Sequence, residues 1–399
     1  MNSANPRPLP DPEISLRDAR DFIIGSPLAR RALLSTQPSL TLFFHDLLEV
    51  VYRLVQSCHL PEFTDHGLPH LCSLIERVSR WELPPTAGGT SPLLCEILTP
   101  DEAAMLLIAL LIHDIGMLSQ NPGDLPDDAP PLQRKALWSD VATWVRQTHV
   151  ARLQKLLHRV MRGRDYQGLL ASGFFQSAVD IAKSHQRWPW EWSGTWTANP
   201  RYRGLAAVVA VADLLDEDSA RCDTITLLEH REGNLTNRAH WLRHALTENR
   251  VVVVKGQIEV QMVKPPGVSN AIRPLYSALR NHFRLVLLYE TDLKAIDAPI
   301  TNIDFHRATG LPDREAASLA DWDKIDGFAT EEAFCYQLLC TFMAPALKDA
   351  RRISADTLAA LRVASLEDVD LSILDRCQGS EEPRTEFEQT FLALAGGSI

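Results

Sequence analysis

The sequence predicts a mainly α-helical protein, with a helical bundle over about residues 40–245 and a smaller α+β region after it. Apolar residues recur at helical spacing through most of the first 245 residues. Alternating β-branched residues, which are typical of strands, become frequent near residue 250. The 399 residues are 45% hydrophobic and 23% charged, which is typical of a folded protein with a substantial core.

The bundle is expected to begin after an N-terminal extension, residues 1–36. Four alternating prolines discourage helix at the start of that extension: Pro6, Pro8, Pro10 and Pro12. From Leu40, the segment LTLFFHDLLEVVYRLVQSCHL carries apolar residues at helical spacing and is predicted to face the core. A second amphipathic helix, LCSLIERVSRWEL, is expected to end before Pro84.

A capping box predicts the start of a third helix. Thr99 is placed as the N-cap, Pro100 at the first helical position and Glu102 three residues after the cap. The segment that follows, DEAAMLLIALLIHDIGM, is apolar nearly all round, which favours the centre of the bundle. Its apolar run from Ala103 to Ile112 is too short to cross a bilayer.

Three later segments also have helical patterns: LWSDVATWVRQTHVARLQKLLHRV, QSAVDIAKSHQ and RYRGLAAVVAVADLLDEDSAR. A tryptophan-rich loop precedes the third of them, with Trp188, Trp190, Trp192 and Trp196. These rings either stack a base near a pocket or cover the core, and the second alternative is favoured.

The pattern changes near residue 250. RVVVVKGQIEVQMV alternates and contains Lys255-Gly256 as a turn, so it predicts a hairpin, and TNIDFHRA predicts another short strand. A helix is expected between them, over PLYSALRNHFRLVLLYETDLKAI. The predicted domains are therefore the bundle, residues 37–245, and an α+β C-terminal region of unknown role, residues 246–399.

Charge and targeting signals narrow the class of protein. A net charge of -11 disfavours broad, salt-dependent binding to nucleic acid. The N-terminus MNSANPRPLPDPE has no apolar segment of a secretory signal, and no membrane association is expected. The seven cysteines are scattered without a CxxC pair, which is typical of reduced thiols in a cytoplasmic protein.

The apolar third helix ends in a histidine and an aspartate. His113 and Asp114 would be costly in such a segment unless a partner or a metal ion compensates them. One helix cannot surround an ion, so a metal site would need ligands from several helices. Gly116 supports a helix end here, where two adjacent side chains can turn toward one ion.

The order DHGLPH, LLIHDIGM, SHQ and VADLLDEDSAR resembles the HD superfamily of metal-dependent phosphohydrolases. The residues of FTDHGLPH, LIHDIGM and ADLLDEDSAR most resemble those of the HD-CE type, which is predicted in bacterial conflict (antiviral defence) systems. The resemblance covers about residues 40–245. It implies that residues 37–245 form an HD-type phosphohydrolase domain.

Carried over by residue, the resemblance implies that four residues bind a divalent metal ion: His70, His113, Asp114 and Asp213. It also implies that His149 and His185 complete a second metal site or touch the substrate phosphate. Related proteins pair histidines at these two points, whereas Val150 and Gln186 follow the single histidines here. Whether one or two ions bind is therefore left open.

The first histidine of DHGLPH, His66, lies four residues before His70. The spacing resembles that of cyclic-nucleotide phosphodiesterases, which implies that His66 is a general acid; a metal ligand or a turn residue are the alternatives. Asp65 is a candidate to orient either imidazole.

Three arginines, Arg146, Arg152 and Arg221, are candidates for phosphate contact, and a solvated helix face is equally favoured for each. Asp216 and Asp218 are interpreted as capping or surface acids.

The expected function is that of a metal-dependent phosphohydrolase of the phosphodiesterase or nucleotidase type, which hydrolyses a phosphoester or phosphoanhydride through a metal-activated hydroxide. Asp114 is expected to help hold that hydroxide. The ligand set suits Mn, Fe, Mg, Ni or Zn.

The expected partner is a nucleotide or another small phosphate ester, nucleic acid is less favoured, and residues 246–399 are a candidate surface for a protein partner or an oligomer. The alternative is a non-catalytic nucleotide-sensing or partner-binding module of a bacterial defence system that retains the metal site.

Overall fold

The computed structural model describes the helical part of the chain and three strands. The described residues are 15–35, 37, 39–57, 67–86, 89–118, 141–162, 166–187, 189–217, 244, 247, 251–262, 283 and 285–307. Within these ranges, the side chains of residues 56–57, 141–144, 146–147, 261–262 and 305–307 are not described. Residues 308–399 lie outside the described residues.

Helices make up most of the described chain, as the sequence predicts. The α-helices are α1 (Leu16–Ile24), α2 (Pro27–Ala32), α3 (Leu40–Ser57), α4 (Leu68–Ser79), α5 (Leu94–Ile97), α6 (Pro100–Ile112), α7 (Val141–Val160), α8 (Gln167–Leu170), α9 (Gly173–Lys183), α10 (Pro200–Leu214) and α11 (Glu290–Lys294). Short 3-10 helices lie at Ile115–Leu118, Ser184–Gln186, Pro189–Glu191, Thr195–Ala198 and Leu285–Tyr289. The strands are β1 (Val252–Val254), β2 (Gln257–Met262) and β3 (Asn302–Arg307).

Helix α6 lies at the centre of the bundle. It contacts α2, α3, α4, α9 and α10, and its residues from Glu102 to Ile112 are all buried. The predicted capping box is confirmed, because Thr99 Oγ1 accepts from Glu102 N at 3.2 Å and Glu102 Oε2 accepts from Thr99 N at 2.9 Å. A helix that is apolar on every side therefore begins at a defined residue and ends at Ile112, one residue before His113.

Helix α10 runs parallel to α6. In the first turns, the Arg201 guanidinium binds the Glu102 carboxylate, with Nη2 to Oε2 at 2.9 Å. At the other ends, His113 Nε2 lies 3.8 Å from Asp213 Oδ1. Contacts at both ends mean that the two helices finish at the same level, which brings His113 and Asp213 together.

The strands form a small sheet in the order β1, β2, β3, which confirms the predicted hairpin and the predicted third strand. Lys255 and Gly256 form the hairpin turn with φ of 54° and 75°, as a two-residue turn of this kind requires. β2 and β3 pair in parallel, from Gln257 opposite Asn302 to Met262 opposite Arg307. In the described part of the intervening segment, a 3-10 helix leads into the short helix α11.

Contacts between residues group the chain into two compact units. The first contains Met1–Asp216, Val253–Gly256 and Thr291–Pro299, and the second contains Glu217–Val252, Gln257–Glu290 and Ile300–Ile399. Every described residue of the predicted metal site belongs to the first unit. Among the described residues, no helix has the length and hydropathy that a bilayer crossing requires.

Candidate metal centre

Four of the predicted ligands form one group at the ends of three helices. His70 lies in the first turn of α4, His113 and Asp114 directly follow α6, and Asp213 lies in the last turn of α10. One donor atom from each lies within 4.8 Å of the other three. We call these four residues the first cluster.

The spacing of donor atoms in the first cluster suits a single ion. His70 Nε2 lies 3.2 Å from His113 Nε2, and His113 Nε2 lies 3.4 Å from Asp114 Oδ2. Asp213 Oδ1 lies 3.8 Å from each imidazole Nε2. Donors that bind one ion at about 2.1 Å lie roughly 3.0 to 3.4 Å apart. Only a small contraction of the cluster is needed to bind a cation.

A second cluster is formed by Asp114, His149 and His185. His149, in α7, places its Nε2 3.2 Å from Asp114 Oδ1, and His185, in the 3-10 helix after α9, places its Nε2 3.3 Å from the same oxygen. The two imidazole Nε2 atoms lie 3.3 Å apart. These three donors also have the spacing of ligands to one ion.

Asp114 belongs to both clusters and turns a different oxygen to each. Oδ2 faces His70 and His113, and Oδ1 faces His149 and His185. Its side chain is only 8% exposed, so few water molecules compete for these oxygens. A carboxylate in this position can bridge two cations.

Hydrogen bonds at the outer ring nitrogens fix how two histidines face the centre. His113 Nδ1 lies 2.9 Å from the carbonyl oxygen of Leu110, and His185 Nδ1 lies 2.7 Å from that of Ala182. A carbonyl can only accept, so each Nδ1 carries a proton, and the neutral form of each imidazole would direct its Nε2 lone pair inward. This is the tautomer that binds a metal ion.

Asp216 holds the third histidine. His70 Nδ1 lies 2.6 Å from Asp216 Oδ2, while Ser73 and Arg77 donate to Oδ1 of the same carboxylate. Asp216 is fully buried, so its interpretation as a capping or surface acid is wrong. The overlooked signal is the spacing of His70, Ser73 and Arg77, which lie on one face of α4.

The fourth histidine is held differently. His149 Nδ1 lies 3.2 Å from the side-chain amide nitrogen of Gln186, an exposed residue. The second cluster is thus supported on one side by a solvent-accessible side chain.

The charges of the first cluster shift two pKa values strongly. Burial alone lowers the pKa of His113, but the carboxylates of Asp114 and Asp213 outweigh burial and raise that pKa to about 9. For Asp213, burial favours the neutral acid, yet the hydrogen bond and charge of His113 hold the pKa below its ordinary value. A proton on His113 thus balances the charges of the Asp114 and Asp213 carboxylates, as a bound cation would.

The residues of both clusters fit a divalent cation. Imidazole nitrogens with carboxylate oxygens suit several first-row metals, so the donor set alone does not determine which ion binds. Largely buried donors, with imidazole Nδ1 atoms held by hydrogen bonds, are typical of metal sites. The structure brings the six predicted metal ligands together in two groups that could each hold an ion.

The structure describes only some of the other residues predicted for the site. His66, Arg221, Asp65, Asp218 and Trp188 lie outside the described residues. The backbone of Arg146 lies in α7, but its side chain is not described. Arg152 is fully buried and donates from Nη2 to the carbonyl of Gly116 at 2.8 Å, so it does not face solvent as a phosphate ligand would.

In the tryptophan-rich loop, Trp192 packs into the core, as predicted, while Trp190 and Trp196 are half-buried. Trp192 is buried, and its Nε1 donates to the carbonyl oxygens of Ser184 at 3.1 Å and Arg187 at 3.0 Å. The Arg203 guanidinium lies over the Trp192 ring at 5.1 Å and binds Asp292. Trp192 therefore supports both ends of the turn that carries His185.

Comparison with known protein families gives one match. The sequence model of HD-CE matches residues 60–284, which is more than half of the 399 residues. This range includes every residue of both clusters. No curated protein and no solved structure matches the chain.

Proposed function

The chain belongs to the HD-CE family, and we propose that it is a metal-dependent phosphohydrolase of the phosphodiesterase or nucleotidase type. Its substrate is a phosphoester or phosphoanhydride, in our proposal that of a nucleotide. The observation that carries the proposal is Asp114, whose two oxygens face separate groups of imidazoles. Such a carboxylate holds two cations side by side, an arrangement suited to phosphoryl chemistry.

The roles of the clustered residues follow from their positions. His70, His113, Asp114 and Asp213 would hold one divalent cation, and Asp114, His149 and His185 would hold the other. Bound cations supply Lewis-acid neutralisation of phosphoryl charge and lower the pKa of water. The first cluster offers four ligands and the second three, so substrate oxygens have more room at the second.

Three residues beyond the clusters complete the proposal. His66, four residues before His70, is the proposed general acid that protonates the leaving oxygen. Arg146 and Arg221 are the proposed phosphate ligands, because a guanidinium pairs with two phosphate oxygens at once. Arg146 lies one turn of α7 before His149, which supports its role.

A second candidate function is a nucleotide-sensing or partner-binding module of a bacterial defence system that retains the metal site without turnover. The second cluster favours it, since that cluster has a single carboxylate, that of Asp114, whereas the first has those of Asp114 and Asp213. Residues 246–399 would then bind the partner.

A substrate panel separates the two functions. The purified full chain, loaded with Mn²⁺, is incubated with dNTPs, NTPs, cyclic nucleotides and single-stranded DNA, and released phosphate or cleaved product is measured. The phosphohydrolase proposal expects turnover of a nucleotide. Tight nucleotide binding without turnover supports the sensing module, and cleavage of the DNA alone would indicate a nuclease and contradict both.

The same assay with variants tests whether the clusters are responsible. Asp114→Ala should abolish turnover, because it removes a ligand from both clusters. Asp297→Asn is a matched control, since Asp297 is exposed and has a φ of 60° that asparagine tolerates. Full activity in Asp114→Ala would exclude the clusters as the active site.

A further inference from the structure

The backbone of helix α7 at His149 lies close to Gly116, in the 3-10 helix that follows His113 and Asp114. A Cβ atom added at Gly116 would lie 2.1 Å from the carbonyl oxygen of His149, 2.7 Å from its carbonyl carbon and 2.8 Å from its Cα. Any side chain at position 116 would push against the α7 backbone, which cannot rotate away as a flexible side chain can. Glycine is therefore required here for packing.

A buried arginine on α7, Arg152, forms a hydrogen bond across the contact between α7 and Gly116. Arg152 lies three residues after His149 on α7 and is fully buried. Its Nη2 donates to the Gly116 carbonyl at 2.8 Å, and its Nε donates to Thr148 Oγ1 at 3.1 Å. A buried guanidinium is costly unless its donors are satisfied, so this position for Arg152 is strongly preferred over others.

The contact between α7 and the 3-10 helix Ile115–Leu118 reaches the second cluster through His149, the ligand that α7 carries. The ligands of the first cluster come from α4, the end of α6 and α10, and His70 is held by Asp216. From α7, only His149 contributes a ligand among the described residues. A displacement of α7 would therefore move His149 away from Asp114 Oδ1 and leave the first cluster in place.

We propose that Gly116 and Arg152 are positioning residues that set the distance from His149 to Asp114 and thereby control whether the second cluster binds its cation. This inference rests on the two-cation site of the proposed function. Metal ligands must lie within about 0.2 Å of their ideal distances. Even a displacement of α7 by part of an ångström is then enough to weaken the second cluster.

The test is a Mn²⁺ titration of the full chain, followed by electron paramagnetic resonance and by free-ion measurement. Two ions that share Asp114 give a spin-coupled signal, whereas one ion gives an isolated Mn²⁺ signal. For Gly116→Ala we expect the Kd of the second cluster to rise at least ~10-fold, with the first unchanged within about 3-fold. The coupled signal should be lost at Mn²⁺ concentrations that produce it in the wild type.

Two further variants serve as a control for Gly116→Ala and as its replacement. Gly168→Ala in α8 is the control, because a Cβ there meets no atom within 4 Å. If Gly116→Ala does not fold by circular dichroism, Thr148→Val replaces it, since it removes the hydroxyl that accepts from Arg152 without a backbone clash. For Thr148→Val we expect a smaller, roughly 3- to 10-fold rise in the second Kd.

Three results separate the possible failures. A folded Gly116→Ala or Thr148→Val protein that binds two Mn²⁺ ions with wild-type affinities overturns the inference. An equal loss at both clusters also overturns it, because the contact would then support the whole centre. A wild-type chain that binds only one ion, or none, contradicts the two-cation site of the proposed function itself.

Discussion

Asp216 Oδ2 lies 2.6 Å from His70 Nδ1, and both side chains are buried. A carboxylate behind a metal-binding imidazole fixes its orientation and strengthens it as a ligand. The Asp216 carboxylate thus supports His70 from the side away from the cluster centre.

Replacement of this carboxylate should weaken the first cluster. In Asp216→Asn, the charge behind His70 is lost and an amide faces the Arg77 guanidinium. We expect the Mn²⁺ affinity of the first cluster to fall about 10- to 100-fold, measured by titration against a fluorescent metal indicator. The exposed Asp297→Asn is the matched control, and equal affinities in the two variants would show that Asp216 does not support His70.

Metal binding should release a proton. Because Asp114 and Asp213 raise the pKa of His113 to about 9, this imidazole is charged at pH 7 to 8 in the metal-free protein and must lose a proton to bind a cation. The apparent affinity should therefore rise about tenfold per pH unit up to about pH 9. Calorimetry in buffers of different ionisation enthalpy measures the released proton directly.

The Asp213→Asn variant tests whether the released proton comes from His113. Asp213→Asn removes one of the carboxylates that hold the proton on His113, so the proton release at a given pH should shrink. A binding heat that does not depend on the buffer, in the wild type, would contradict the account.

The pair that aligns α6 with α10 should matter for stability. Arg201→Ala leaves the buried Glu102 carboxylate without its bidentate partner, which is expected to cost about 1–3 kcal/mol of unfolding free energy. Urea unfolding followed by circular dichroism measures the change. Arg53→Ala is the comparison, because the Arg53–Glu49 pair on α3 is exposed and should contribute no more than ~0.5 kcal/mol. Equal losses in the two variants would argue against the alignment role.

The support of His185 by Trp192 can be tested in the same way as that of His70. Trp192→Phe keeps a large ring but removes the donor to the carbonyls of Ser184 and Arg187. We expect the second Mn²⁺ to bind about 3- to 10-fold more weakly, with the first unchanged. An unchanged second Kd, or a loss confined to the first cluster, would contradict this role of Trp192.

His113 and Asp114 were predictable from the residues themselves, because they are polar residues at the end of an apolar segment, whereas His70, His149, His185 and Asp213 were implied by the family resemblance. His113 and Asp114 end a helix that is buried on every side, and Asp213 closes another such helix. Combined with the order of the motifs, this pattern predicted a cluster that the fold brings together. The capping box at Thr99 and the hairpin turn at Lys255 were predictable for a similar reason, since they depend on neighbouring residues alone.

The supporting residues could not be predicted, because their roles depend on contacts between distant segments. Asp216 lies in the acidic run DLLDEDSAR, which resembles an exposed helix end until α4 packs over it. Arg152 resembles a surface arginine of an amphipathic helix until Gly116, 36 residues earlier, meets it. Periodicity indicates which face of a helix is buried but not which polar group lies opposite.

The number of cations bound by the wild type and by two ligand variants tests the central claim most directly. Equilibrium titration with Mn²⁺ should give two ions per chain for the wild type and one for His185→Ala. Asp114→Ala should show severe weakening at both clusters, because Asp114 is the residue that the two described clusters share. Two ions bound with wild-type affinity by a folded Asp114→Ala protein would contradict the account.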